Sequence, residues 1–415
     1  MRIAQRLEAL KPSATLAVAA RARELKSRGV DVLSFAAGEP DFSTPQPIVD
    51  ACKRALDAGM TSYGPVPGDL ACREALCEKL TRENGIPGLT PDDVVVSSGG
   101  KHSLYQLFQA LLDPPCEGIA DRVVLPTPAW VSYRPQIELA GGVVDEIPTT
   151  ADTDYKITPD QLRDAITRET RAVVLNSPSN PCGTMYTPDE LRALGAVIAE
   201  AASSVAPDLM LVSDELYEHI LFDGNEHLSL GSLAGLAERT VTVNGLSKAY
   251  AMTGWRVGYF ACPGERGARV VGAVKKLQSQ STTAIPTFIM PAIVAALTES
   301  AAHVEEMRAA FEQRARVAYD AIASIPGVAC PKPMGAFYLF PDVSAHFGKT
   351  SAAGTGIESG LTFAGALLDE AHVAVVPGEG FGTGGERCFR FTFACGEEQI
   401  RAGAERIRGF VESLT

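Results

Sequence analysis

From about residue 92 the chain repeats one pattern: a short apolar run, a polar or Gly-rich tail, then an amphipathic stretch. Val94-Val95-Val96 leads into Ser97-Ser98-Gly99-Gly100-Lys101 and a helical period over 102–112. Val123-Val124-Leu125 closes on Pro126-Thr127-Pro128-Ala129-Trp130, and Ala172-Val173-Val174-Leu175 on Asn176-Ser177-Pro178-Ser179-Asn180-Pro181. Val143-Val144 precedes a capped helix opened by Thr158-Pro159-Asp160, and Thr187-Pro188-Asp189-Glu190 opens another with a capping residue and a first-turn Pro. Leu209-Met210-Leu211-Val212 ends at Ser213-Asp214-Glu215. Such runs, alternating with helices of about 10–15 residues, predict an α/β fold with a mainly parallel sheet covered on both faces. Ligands of these sheets sit beyond the carboxyl ends of the strands. That is where all the polar tails fall.

The flanks read differently. Residues 5–29 have a loose helical spacing of Leu7, Leu10 and Leu25, interrupted by Lys11-Pro12-Ser13. The stretch 37–42 (AGEPDF) is too rich in helix and strand breakers for a regular element; 45–58 is helical and 61–65 a loop. After Met290 the pattern predicts long helices over 296–325 and 361–371 around short β segments near 335–339, 373–376 and 389–393, with a soft Gly/Ser/Ala loop at 344–360. Two domains follow: a large one over 45–295, and a smaller α+β one from 1–44 plus 296–415.

The strand tails carry the candidate chemistry. Between the apolar segment of Val241 and Val243 and a second apolar run containing Arg256 stands Lys248, flanked by small residues. An amine held there suits imine chemistry, as a nucleophile for an aldehyde and a carrier of protons. Arg256 offers a planar fork to a phosphate. Taken singly, both also fit an ordinary loop lysine and a surface ion pair. Gly99-Gly100-Lys101 joins a strand to a helix, so its N–H groups suit a phosphate, or merely a turn. Trp130 has a face for stacking, although a lone Trp is more often core. Asn180 is an amide in a rigid loop. Asp214 ends an apolar strand, where an unpaired carboxylate is costly, so a cationic partner is expected, with Tyr217 three residues on. Phenylalanines alternate around Arg390, placing it with Thr392 on the other face of a strand; its bland alternative is an exposed edge charge. Together these residues describe a pocket for pyridoxal 5'-phosphate. The match of 380–385 (GFGTGG) to G-x-G-x-x-G is set aside, because a β segment and not a helix follows it. It is expected as a mobile loop near the substrate mouth.

Composition narrows the partners. A net charge of −13 over 415 residues argues against non-specific binding to nucleic acid or anionic membranes. No run of 18 apolar residues occurs, so a cytoplasmic protein is expected. Nine scattered Cys without C-x-x-C, and six His without H-E-x-x-H, predict neither a disulfide framework nor a metal site.

The segments at 11–15 (KPSAT), 36–42 (AAGEPDF), 61–65 (TSYGP), 97–104 (SSGGKHSL), 176–183 (NSPSNPCG), 212–219 (VSDELYEH), 247–259 (SKAYAMTGWRVGY) and 389–394 (FRFTFA) resemble, in this order, the fold type I aminotransferases of class I, and among them the bacterial aspartate aminotransferases of the Iβ subgroup. The resemblance implies a seven-stranded-type sheet sandwiched by helices. It implies Lys248 as the imine-forming base, Asp214 at the pyridine nitrogen, Asn180 and Tyr217 at the ring hydroxyl, and Trp130 stacked on the ring. Gly100, Lys101, Ser247 and Arg256 would hold the phosphate, with Tyr63 reaching in from the other subunit of a homodimer. Arg390 would clamp the substrate α-carboxylate, aided by Gly38 and Asn180. Residues 277–307 hold neither Lys nor Arg, so no counterpart of the partner-subunit arginine of the Iα enzymes is found; the resemblance to the Iβ pattern implies Lys101, with Thr15 nearby, for the distal carboxylate. The expected reaction is transamination of L-aspartate with 2-oxoglutarate, with prephenate a second acceptor. An aminotransferase for alanine or aromatic amino acids, or a β-lyase on the same scaffold, stays open. The connection at 113–122 (DPPCEGIADR) is a departure from the family pattern.

Overall fold

The computed structural model of the chain describes residues 3–8, 10 and 14–415, without the side chains of residues 5 and 14–16. Lys11-Pro12-Ser13 and the side chain of Thr15 therefore lie outside the described residues. The strands are β1 (Leu33–Ser34), β2 (Val94–Ser97), β3 (Arg122–Thr127), β4 (Val143–Pro148), β5 (Thr170–Asn176), β6 (Met210–Asp214), β7 (Thr240–Gly245), β8 (Gly258–Ala261), β9 (Tyr338–Leu339), β10 (Val373–Ala374), β11 (Val376–Pro377) and β12 (Phe389–Thr392). Seven of them form one sheet in the order β2-β8-β7-β6-β5-β3-β4, parallel throughout except for β8, which runs antiparallel to both of its neighbours.

Period-two alternation explains how helices cover both faces. On β5, Ala172 and Val174 face a core shared with Leu104, Phe108 and Val274, while Val173 and Leu175 face Leu191, Leu194 and Ile198. The second layer belongs to the helix Pro188–Ser204, which starts where the reciprocal hydrogen bonds of Thr187 and Glu190 cap it. A separate core gathers Phe35, Phe311, Phe337, Phe363, Phe389, Phe391 and Phe393, around the antiparallel β11-β12-β9 sheet and the parallel β1-β10 pair.

The structure departs from the sequence expectations in four places. The 296–325 helix is two, Met290–Glu299 and Ala301–Ala323, broken at the buried Ser300. With its preceding turn, Thr287–Glu299 makes a 72° bend with Ala301–Ala323, and among the described residues no single helix is long and apolar enough to cross a membrane. Arg256 lies not within the second apolar run but in the turn before β8, with φ at +57°. The G-x-G-x-x-G stretch is a packed turn: Ala129 N donates to the Phe381 carbonyl at 2.7 Å, and Phe381 is 1% exposed. Glu146, itself paired with Arg134, accepts from the Thr383 hydroxyl. Finally, the helices Leu70–Arg82, Gly264–Ser279 and Glu397–Glu412 form in stretches where the sequence pattern above predicts no element.

Candidate active site

The polar tails converge because their strands run the same way. β3, β5, β6 and β7 end toward one edge, and β2, parallel to β7, ends there too. Since β8 runs in the opposite direction, its start lies at that edge, which brings in Arg256. Lys248 follows β7, Asp214 closes β6, Asn180 lies beyond β5 and Trp130 beyond β3. The second core contributes Arg390 from β12, and the N-terminal segment contributes Gly38.

Three charges here, two buried and Lys248 half-buried, have no counter-charge among the described residues. Asp214 is 6% exposed, and among the described residues its carboxylate accepts from the Tyr133 hydroxyl at 2.6 Å and Leu216 N at 3.3 Å. Burial pushes its pKa up to about 6, against the pull of Tyr133 and Leu216. The Lys248 ammonium donates to the Gly38 carbonyl, and burial, followed by the repulsion of Arg390, brings its pKa down to about 8. Arg390, 3% exposed, donates to Asn180 Oδ1 and to the Ala36 carbonyl, both at 3.0 Å. Its guanidinium lies 4.6 Å from the Tyr338 ring centre and 5.4 Å from that of Phe381, and its Nε has no partner. Among the described residues, no ion pair neutralises any of the three. A buried charge without a partner is unfavourable by several kcal/mol, so such a set fits a ligand that brings charges of both signs.

Beside them is a turn shaped by its glycines. Gly99 (φ +87°) precedes the helix Gly100–Leu111, and a Cβ there would stand 2.5 Å from an Arg256 guanidinium nitrogen. A Cβ at Gly258 would stand 2.1 Å from Gly100 N, so β8 closes directly on the turn from below. The exposed Arg256 guanidinium donates to the Thr253 carbonyl at 2.9 Å and more weakly to that of Ser98, and Ser247 is buried nearby in sequence. A helix N-terminus with free N–H groups, a hydroxyl and a guanidinium is a donor set for an anion.

Most of the expected residues thus meet at one edge. Trp130 stands edge-on to Tyr133 (5.3 Å between ring centres), with Lys101 Nζ 5.0 Å from its ring centre. Burial, then Arg256, lowers the Lys101 pKa. Tyr217, 3% exposed, shares a hydrogen bond of 2.9 Å with the Tyr338 hydroxyl. Arg390 is not an edge charge. Tyr63 does not join them within one chain, being 96% exposed. Three participants had been missed: Tyr133, which holds Asp214; Tyr338, under Arg390; and Gly258. Tyr133 lies three residues beyond Trp130, across a turn in which its N–H donates to the Trp130 carbonyl at 3.0 Å, and a second aromatic at that spacing is the available signal.

The family model for aminotransferase class I and II matches residues 30–407. The chain is 44% identical to an aspartate aminotransferase of Geobacillus stearothermophilus over the full length of both. It is 42% identical to an aspartate/prephenate aminotransferase of Cereibacter sphaeroides, covering 99% of this chain and 98% of that one. Its fold is similar to the crystal structure of the Rhizobium meliloti aspartate aminotransferase, with a TM-score of 0.93 at 35% identity and full coverage of both chains. The Thermus thermophilus aspartate aminotransferase with maleate matches with a TM-score of 0.88 at 41% identity, over 99% of this chain and all of that one.

Proposed function

Because the chain belongs to the class I and II aminotransferases, we propose that it moves the amino group of L-aspartate to 2-oxoglutarate in a ping-pong reaction, with prephenate a second acceptor. In this reading it is a cytoplasmic homodimer that uses pyridoxal 5'-phosphate, built from a large domain over 45–295 and a smaller one from 1–44 plus 296–415. The names of its relatives support the substrates, and the separate hydrophobic cores support the division. The single observation that carries the reading is the set of three unpaired charges at Asp214, Lys248 and Arg390.

The residues fit the cofactor. Asp214 would face the ring nitrogen, Asn180 and Tyr217 the ring hydroxyl, and Trp130 the ring face. The N–H groups of Gly100 and Lys101, with Ser247, Arg256 and the partner subunit's Tyr63, would take the phosphate. When bound, the cofactor supplies an aldehyde for the amino group and a ring that accepts the electron pair freed at the substrate α-carbon. Asp214, uncomfortable without a cation, favours a protonated ring nitrogen. Lys248, with a pKa of about 8, is partly free base near neutral pH, so it can act as an amine nucleophile and carry a proton between two carbons in a 1,3 relation, on either side of the transferred nitrogen. Arg390 holds the α-carboxylate, with its guanidinium plane fixed by Tyr338, and Gly38 leaves room beside it: a Cβ there would lie 3.1 Å from the Tyr338 hydroxyl. Lys101 and Thr15 would take the distal carboxylate.

The test is chemical trapping. The purified protein should show a visible band that bleaches on adding aspartate, and after borohydride reduction mass spectrometry should find the adduct on Lys248. An adduct elsewhere, or none, would end the proposal.

A further inference from the structure

Behind the turn that carries Asp214 and Tyr217 lies a second group of buried charges that the chemistry above leaves unused. Asp214 and Tyr217 look toward Tyr133 and Tyr338, whereas Glu215 and Glu218 bond to residues on the opposite side. Glu215 is 1% exposed, Glu218 7%, and Lys79, from the helix Leu70–Arg82, 2%. Glu218 accepts from the Lys79 ammonium, and the Asn84 amide bridges the two carboxylates, at 3.0 Å to Glu215 and 2.5 Å to Glu218. Glu215 also accepts from the hydroxyls of Ser213 (2.7 Å) and Ser229 (2.8 Å), and His227 Nε2 stands 3.0 Å from its other oxygen.

Ligand atoms of Glu215, Glu218 and His227 lie within 4.8 Å of one another, the spacing of a metal site. Yet each of the four carboxylate oxygens already has a donor, and the Lys79 ammonium stands where a cation would bind. The cluster is an ion network. Two carboxylates and one ammonium leave a net negative charge, and neutrality requires a proton on His227. Burial works against a charged ring at His227, but Glu215 and Glu218 outweigh it and hold its proton above the usual histidine range. Burial drives His219 the other way. The remaining groups that face the network are Glu83, 3.9 Å from Lys79 Nζ and 3.5 Å from His219 Nε2, and the phenols of Tyr250 and Tyr259.

We propose that Lys79, Glu215, Glu218 and a protonated His227 form a neutral ion network that fixes the Asp214–Tyr217 turn from behind, which makes His227 a positioning residue for amino transfer. This rests on the reading that Asp214 and Tyr217 face the cofactor. Loss of the His227 charge leaves a net negative charge one residue from Asp214, and a nearby negative charge favours any proton held at the site.

The decisive variant is His227→Gln in the cofactor-loaded protein, which keeps a donor for Glu215 and loses the charge. The pH midpoint of the visible band should rise by about half a unit. kcat should fall roughly tenfold, with the KM for aspartate little changed, because Arg390 is untouched. The double variant Glu215→Gln/His227→Gln restores neutrality and should bring the midpoint back toward the parent. A purely structural role would lower stability and leave the midpoint where it was. An unmoved midpoint overturns the proposal, whether or not kcat falls. A second measurement needs no variant: nitrogen NMR of the parent protein without cofactor should show both ring nitrogens of His227 protonated at pH 7, and a neutral ring overturns the proposal. If the functional reading itself were at fault, the parent protein would have no visible band, an outcome distinct from a band whose midpoint does not move.

Discussion

Asp214 sits where a carboxylate is electrostatically unwelcome, and that makes it testable without substrate. A pKa raised from 3.8 to about 6 corresponds to roughly 3 kcal/mol of lost stability for the ionised group. The sign follows from proton counting: between those two values the folded state binds more protons than the unfolded one, so stability is lost as pH rises through 6. Asp214→Asn should therefore stabilise the cofactor-free protein at pH 7.5 by about 1–3 kcal/mol, a gain that disappears near pH 4, as urea unfolding at several pH values would show. If Asp214 faces the ring nitrogen as proposed, the same variant should lower kcat/KM for aspartate by on the order of 10²–10³-fold, because the charge opposite that nitrogen is gone. Lys101 offers a test of substrate. If it meets the distal carboxylate, Lys101→Ala should cut kcat/KM for aspartate and glutamate roughly 10–100-fold, with a far smaller effect on alanine. An equal loss for all three would remove that assignment.

At the scale of elements, the phosphate turn depends on the strand beneath it. Gly258→Ala would drive a methyl into Gly100 N, 2.1 Å from its ideal position, and neither backbone can yield cheaply. The overpacking should be unfavourable by about 1–3 kcal/mol, which equilibrium dialysis would register as weaker cofactor binding, by roughly tenfold if about 1.4 kcal/mol of it falls on the turn. The elements that position the site were legible where physical chemistry is local. The fully buried strands announced themselves as apolar runs, and Thr187 and Glu190 marked a helix start through their own hydrogen bonds. What escaped was set by distant contacts. The helix Leu70–Arg82 hides its buried face because Lys79 occupies it, and the lysine is tolerable there through Glu218, 139 residues away, and Asn84. Arg256 reads as part of an apolar run because Val257 and Tyr259 continue the apolar pattern; its left-handed backbone, which aims the guanidinium over Gly99, has no signature in side-chain polarity. The break at Ser300 likewise lies in a stretch of high helix propensity. Arg390 was readable from the alternation of its phenylalanine neighbours, whereas Tyr338 beneath it was not, since an aromatic in an aromatic-rich strand reads as core.

At the scale of the whole molecule, Tyr63 is out of place for a single chain. An aromatic side chain 96% exposed gains nothing from its own fold. If it completes the phosphate site of a partner subunit, Tyr63→Ala and Lys248→Ala chains, each weakly active or inactive alone, should regain activity when refolded together. In the hybrid dimer one of the two sites then has both groups intact. If Tyr63 served its own chain, every site in the mixture would lack one group and no activity would return. Sedimentation of the parent protein should meanwhile show a dimer.

The pairing of β1 with β10, Leu33 to Val373 and Ser34 to Ala374, has a consequence for biosynthesis. As the chain leaves the ribosome, β2 to β8 and the residues assigned to the cofactor from Gly100 to Arg256 emerge first as a set able to close into their sheet. The segment around residue 33, although made earlier, has no strand to join until residue 373 appears, and Arg390 follows later still. Ordered synthesis thus completes the half proposed to face the vitamin well before the half proposed to face the substrate, and through that interval the early segment has an unpaired edge.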